Sequence, residues 1–295
     1  MSRTSSVIVV IVLLFWASSD AAAEPLQISH NGLTLNGELV RPDGQAHDGG
    51  SSIFLVVHGT WAHLDMEIID ALQSLLAENG QPSLAITLSL GVDDRQGFLG
   101  CDAPVLANHE AAVEEIGSWI RWLQAEGWRS VILVGHSRGG AQVALYQQRQ
   151  NTSVVSRLVM LAPLMWREAE VRRGYDTQSH TPLATVLAEA HSSDESLMGP
   201  YPLLSCPAVQ AAPASFISYY DPSIPRHTPD IIRTLNVPVD VYLGSEDEIA
   251  AWRAEDLAGS EDQQHIQLIT IDGADHFFRD LYLDDVVEDL LSNTE

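Results

Sequence analysis

Hydrophobic and polar residues follow two rhythms along this chain. Apolar runs rich in β-branched residues recur at Leu33–Val40, Ile53–Val57, Leu84–Leu88, Val131–Val134, Leu158–Leu161, Val239–Leu243 and Ile266–Ile271, and each predicts a strand. Ile53–Val57, Val131–Val134 and Leu158–Leu161 are continuous hydrophobic runs, which suits strands covered on both faces. Between the runs, Leu64–Glu78, Glu110–Glu126 and Gly139–Gln150 repeat their apolar residues at helical spacing. Strands alternating with helices predict an α/β fold: a mostly parallel, doubly wound sheet with helices on both faces.

Two stretches break the rhythm. Arg3, the apolar run Val7–Ala17 and the small residues ending at Ala21-Ala22-Ala23 follow the order of a secretory signal peptide. The run is shorter than the roughly 20 residues that span a bilayer, so residues 1–23 are expected to be removed on export. The mature chain, 24–295, is then secreted or periplasmic, with no stable membrane insertion. The second break, from about 164 to 236, separates two strands by far more than a helical crossover needs. It carries Pro182, Pro200, Pro202, Pro207, Pro213, Pro222, Pro225 and Pro229. Structureless loops of that length are uncommon in compact domains, so a partly helical cap inserted into the sheet domain is expected here.

The segment Val131-Ile132-Leu133-Val134-Gly135-His136-Ser137-Arg138-Gly139-Gly140 carries the clearest chemistry. A buried strand runs into Gly-x-Ser-x-Gly and directly into a helix. The glycines allow a sharp turn that lifts the serine hydroxyl above the strand ends. The same turn sets the next backbone N–H at a helix N-terminus, where developing negative charge is favoured. With this strand–turn–helix context the chain resembles the α/β-hydrolase superfamily over most of its mature length. The resemblance implies a nucleophile at Ser137, followed in chain order by an acid and a histidine. Asp247, in Gly244-Ser245-Glu246-Asp247, matches the acid, with Glu246 and Glu248 as neighbouring alternatives. His276, in Gly273-Ala274-Asp275-His276, matches the histidine. Asp275 is set aside because adjacent side chains diverge. His58-Gly59-Thr60-Trp61 resembles the family's His-Gly-x motif, which assigns the oxyanion hole to the amides of Thr60 and Arg138. His58 is expected to be a buried strut. Trp61 is assigned to substrate binding, with packing under the cap as its other reading.

Arg138 departs from the apolar residue usual at that position in the family. A guanidinium so close to the serine must be paired or solvated. Asp93, Asp94 and Asp102 are its expected partners, and an anionic substrate is the alternative.

Composition narrows the partners. The chain has 40 acidic and 15 basic residues, all of the latter arginine, for a formal net charge of −25. Such a surface repels nucleic acid and anionic membranes; the substrate that the resemblance implies is a small-molecule ester or thioester. No Cys-x-x-Cys or His-Glu-x-x-His pattern points to a metal, and no cofactor is expected. The two cysteines, Cys101 and Cys206, fall in the loop after the third strand and in the cap, both at the carboxyl edge of the sheet. In an exported chain they are expected to form a disulfide. Transfer to another acceptor (acyltransferase or perhydrolase chemistry) and a catalytically silent binding protein on the same scaffold are the competing functions.

Overall fold

The computed structural model describes residues 22–42, 52–250, 252, 256 and 263–292. The expected signal segment therefore lies outside the described residues, except for Ala22 and Ala23. An eight-stranded sheet forms the centre, in the order β1-β2-β4-β3-β5-β6-β9-β10. These strands are β1 (Ala22–His30), β2 (Leu33–Arg41), β3 (Ser52–Val57), β4 (Ser83–Thr87), β5 (Ser130–His136), β6 (Val155–Leu161), β9 (Val239–Gly244) and β10 (Ile266–Ile271). β1 and β2 form an antiparallel hairpin and β2 runs antiparallel to β4, whereas all other pairings are parallel. The mostly parallel α/β sheet read from the hydrophobic pattern is thus present, with all seven expected strands in place.

The eighth strand, β1, was not expected. Its Leu26 and Ile28 alternate with polar residues on a half-exposed edge, a weak pattern beside the buried runs. The turn after it is the stronger signal. Asn31 and Gly32 both take positive φ (48° and 84°), the geometry in which Asn-Gly closes a two-residue hairpin.

Helices cover both faces. On one side α2 (Ala111–Ala125), α3 (Arg138–Gln150) and α7 (Thr228–Ile232) pack over Leu55, Leu84, Leu133, Leu158 and Val241. On the other side α1 (Glu67–Glu78) and α8 (Tyr282–Ser292) pack over Phe54, Val56, Ile132, Val159 and Tyr242. Alternate residues of one strand therefore serve opposite cores, which is why the central strands are apolar without a break. Among the described residues no helix is long and apolar enough to cross a membrane.

The stretch after β6 contains α4 (Glu168–Gln178), α5 (Leu183–Ser192), a hairpin of β7 (Met198–Leu203) with β8 (Cys206–Ala211), and α6 (Pro213–Tyr220). These elements bury a third cluster of their own, built on Tyr175, Leu183, Val186, Leu203, Phe216 and Tyr219. The last helix of the stretch, α7, belongs instead to the sheet domain, because Ile231 and Ile232 enter the core under α3.

The cap is fastened to the loop that follows β4. Cys101 and Cys206 are joined, with their Cα atoms 5.4 Å apart, so the expected bridge is present. Beside it, the Val105 N–H donates to Gln210 O (2.8 Å) and the Ala212 N–H donates to Val105 O (2.9 Å).

Candidate active site

Ser137 stands between β5 and α3 with φ 55° and ψ −119°, a region that side chains rarely occupy. Two flanking glycines make the turn possible. A Cβ on Gly135 would overlap the backbone of Gly139, and one on Gly139 would overlap the carbonyls of Val57 and His58. The β5–α3 turn is therefore wedged against the end of β3. There Gly59 is close enough that its own Cβ would lie 3.2 Å from that of Ser137.

The loops after β9 and β10 bring two more side chains to this point. They are tied together by the Glu246 N–H donating to Ala274 O (3.0 Å) and the Gly273 N–H donating to Ser245 Oγ (2.7 Å). On this paired support, His276 Nε2 lies 3.0 Å from Ser137 Oγ, and His276 Nδ1 lies 2.8 Å from Asp247 Oδ2. All three residues are buried. Asp247 Oδ1 accepts from the N–H groups of Ile249 (2.7 Å) and Ala250 (2.9 Å). Burial pushes the Asp247 carboxyl up, but the bonds from His276 and these two amides outweigh it and hold the group below the usual carboxylate range. An ionised Asp247 fixes the proton of His276 on Nδ1, which leaves Nε2 free to accept from the serine. Of the alternatives, Glu246 and Glu248 are exposed, and Asp275 pairs with Arg279.

His58 is the strut expected of it. Its Nδ1–H donates to Gly59 O (2.8 Å), while Nε2 accepts from the Leu88 N–H (3.0 Å) and from Arg95 Nη2 (3.1 Å). Burial and the Arg95 charge push its pKa down to about 3. His136, inside the serine motif, has a second positioning role that the motif does not announce. Its Nε2–H donates to the His276 carbonyl (2.9 Å), and its ring lies 5.0 Å from that of His276. Burial pushes its pKa down to about 4, so it stays neutral.

The Arg138 N–H opens α3, where helix geometry leaves it without an intrahelical acceptor. Thr60 follows Gly59 in the loop that abuts Ser137. Within the described residues no hydrogen bond uses the backbone N–H of either residue. The two are also joined by side chains, because Arg138 Nε donates to Thr60 Oγ1 (2.9 Å).

Two expectations need correction. Arg138 does not pair with Asp93, Asp94 or Asp102. Asp93 accepts from the Thr34 N–H and Asp94 from Asn36 and Gln27, at the β2 end of the molecule. These bonds hold Asp93 and Asp94 at β2, and Asp102 makes no ion pair with Arg138 among the described residues. Arg138 instead lies over the rings of Trp166 (4.8 Å) and Tyr219 (5.4 Å), and burial pushes its pKa down to about 10. Trp61 does not line the cavity. It takes a left-handed backbone (φ 57°) that turns its side chain beneath the cap, into the cluster with Leu99 and Val105.

A cavity of about 700 Å³ opens above Ser137. Thr60, Ser137, Arg138 and His276 form part of its lining, Trp166, Tyr175, Leu204 and Tyr220 line it from the cap side, and Phe98 and Ile249 contribute further apolar surface. Nothing in the strand-and-motif pattern marked Trp166, Tyr219 or His109. His109 packs against both aromatic rings, 5.4 and 5.9 Å away, and burial together with the Arg138 charge keeps its pKa well below the ordinary histidine range. Among the described residues no group of His, Cys, Asp and Glu side chains could hold a metal ion.

The comparisons with known proteins agree with this architecture. The model of the α/β hydrolase family matches residues 54–289, and the chain belongs to that family. A search of curated protein sequences finds no match. Among solved structures, the chain is similar to Est1E from Butyrivibrio proteoclasticus, at 17% identity and TM-score 0.62 over 91% of this chain and 98% of that one. It is also similar to the same protein with ferulic acid bound, at 19% identity and TM-score 0.66 over 90% and 98%. A thioesterase domain from the curacin biosynthetic pathway aligns at 16% identity and TM-score 0.55 over 92% and 100%. At such identities the likeness is one of fold.

Proposed function

We propose that this α/β hydrolase cleaves a carboxylic ester or thioester through an acyl-enzyme on Ser137. The observation that carries the proposal is the unbroken line from Ser137 Oγ through His276 to Asp247, at 3.0 and 2.8 Å. In the first step Ser137 Oγ bonds to the substrate carbonyl carbon as its proton passes to His276 Nε2. The carbonyl oxygen becomes an oxyanion held by the Thr60 and Arg138 amides. Collapse expels the alcohol or thiol, which takes the proton back from His276. Water then repeats the sequence on the acyl-serine and releases the acid. The mostly apolar lining of the cavity supports an organic acyl or alcohol group, and the esterase and thioesterase folds above support the same reaction class. The N-terminal segment read as a signal, together with the Cys101–Cys206 bridge, supports a site of action outside the reducing cytoplasm.

A fluorophosphonate probe tests the proposal. It should form one adduct, on Ser137, and none in Ser137→Ala. A folded protein that resists the probe and cleaves no p-nitrophenyl ester of any chain length would be a binding protein on this scaffold instead.

A further inference from the structure

Arg138 stands apart from the other buried arginines. Arg157 pairs with Asp240, and the half-buried Arg167 likewise pairs with Asp256 and Glu170. Arg95 has no carboxylate, but its guanidinium donates to the carbonyls of Leu88, Gly97 and Ala62 and to His58 Nε2. Arg226 also leaves its Nε buried without a partner, but both of its terminal nitrogens donate, to the carbonyls of Ser218 and Asp221. Arg138 is 7% exposed, yet its one hydrogen bond among the described residues is Nε to the Thr60 hydroxyl. Its Nη1 is fully buried without a partner.

The ring faces of Trp166 and Tyr219 return only part of what burying a charge costs. The nearby positive charge of Arg226, whose guanidinium carbon is 5.1 Å from the Trp166 ring centre, makes the position less favourable still. The chain has 40 acidic residues, yet among the described residues no carboxylate pairs with Arg138. Of the two acids that line the cavity, Glu170 is held by Arg167, and Glu248 is exposed and makes no bond to Arg138 among the described residues. Arg138 itself lines the cavity beside the nucleophile.

We infer that Arg138 is the counter-ion for a carboxylate on the substrate, so that the site selects esters or thioesters of short dicarboxylic acids. The inference rests on the hydrolase reading above and names its substrate class. The chain is short because the guanidinium belongs to the residue after Ser137 and is bonded to the Thr60 loop. A carboxylate that reaches it therefore lies only a few carbons from the carbonyl under attack. A carboxylate accepts a charge-assisted hydrogen bond from a guanidinium N–H that the Thr60 hydroxyl does not use.

Acid release in a pH-stat reads the preference directly, with monoethyl succinate and monoethyl glutarate set against ethyl butyrate and ethyl valerate. At about 0.15 M salt the chain's own negative charge is largely screened at distances beyond a Debye length. The wild-type protein should favour the anionic ester at least tenfold in kcat/KM. That ratio should fall to one or below in Arg138→Met and stay intermediate in Arg138→Lys. Equal or better cleavage of the neutral esters by wild type overturns the inference, as does a ratio that Arg138→Met leaves unchanged.

Should Arg138→Met fail to fold, calorimetry on Ser137→Ala decides the matter. Succinate or glutarate should bind it at least tenfold more tightly than butyrate, and equal binding overturns the inference. The two readings fail separately. Absent fluorophosphonate labelling rejects the hydrolase, whereas labelling without anionic preference rejects only the role of Arg138.

Discussion

Arg138 opens α3 and Thr60 lies in the loop after β3, yet a 2.9 Å hydrogen bond from the guanidinium Nε to the Thr60 hydroxyl joins them. The bond ties the start of α3 to the end of β3, the two places whose free amides face the serine turn. Thr60→Val removes the acceptor and keeps the shape, leaving a buried charge with no hydrogen bond. A loss of roughly 1–3 kcal/mol is expected in urea unfolding, with Thr60→Ser close to wild type. Equal stability of the valine and serine variants would show that the bond contributes nothing.

Ser137 combines a strained backbone with the proposed role of nucleophile. Ser137→Ala should stay folded and lose ester turnover, and His276→Ala should cost about as much. The double variant should be no slower than either, because the two act as one unit. A second measurement separates the strain. At φ 55° a glycine is relaxed and an alanine is not, so Ser137→Gly should unfold at a higher urea concentration than Ser137→Ala.

Asp247→Asn should lower kcat by about 10⁴-fold, since an amide can hold the histidine in the wrong tautomer. Glu246→Gln and Glu248→Gln should change the rate by less than a factor of about two or three, because neither side chain bonds His276 among the described contacts. A crippled Glu248→Gln protein with normal circular dichroism would move the acid to that residue.

His58 gives the molecule a pH dependence with a definite sign. Its pKa is about 3 in the folded chain against the ordinary 6.5, so the unfolded chain binds the proton first. Stability from this residue is complete above about pH 6.5 and falls as the pH drops toward 3, with a limiting slope of about 1.4 kcal/mol per pH unit. His58→Gln should be less stable at pH 7, yet its stability should fall less steeply between pH 6.5 and 5. Parallel curves for the two proteins would show that His58 takes up its proton in the folded state.

The Cys101–Cys206 bridge closes a loop of 105 residues. The paired variant Cys101→Ser/Cys206→Ser should lose roughly 2–4 kcal/mol. The Val105 pairing with β8 should keep the cap on the loop in the folded variant, so the loss comes mainly from the unfolded chain that the bridge no longer constrains. Hydrogen exchange should quicken first in β7, β8 and α6.

The hydrophobic rhythm by itself determined the sheet, because strands covered on both faces must be apolar throughout and helices must show one apolar stripe. Ser137, His276 and Asp247 were legible for a related reason. Each sits in a short motif just after a strand-forming run, and a parallel sheet delivers all such ends to one edge. The pattern was silent where residues distant in sequence meet. Asp93, Asp94 and Asp102 looked like partners for Arg138 because loop acids are common near a sheet edge, but Asp93 and Asp94 are turned toward β2. Trp166, Tyr219 and His109 surround Arg138 from three separate segments, and no local period records that meeting. The backbone twist at Trp61, which removes that ring from the cavity, is likewise set by the cap packed above it. Local motifs pointed to the groups proposed to do the chemistry, whereas long-range packing decided what surrounds them, because burial and charge pairing are properties of neighbours in space.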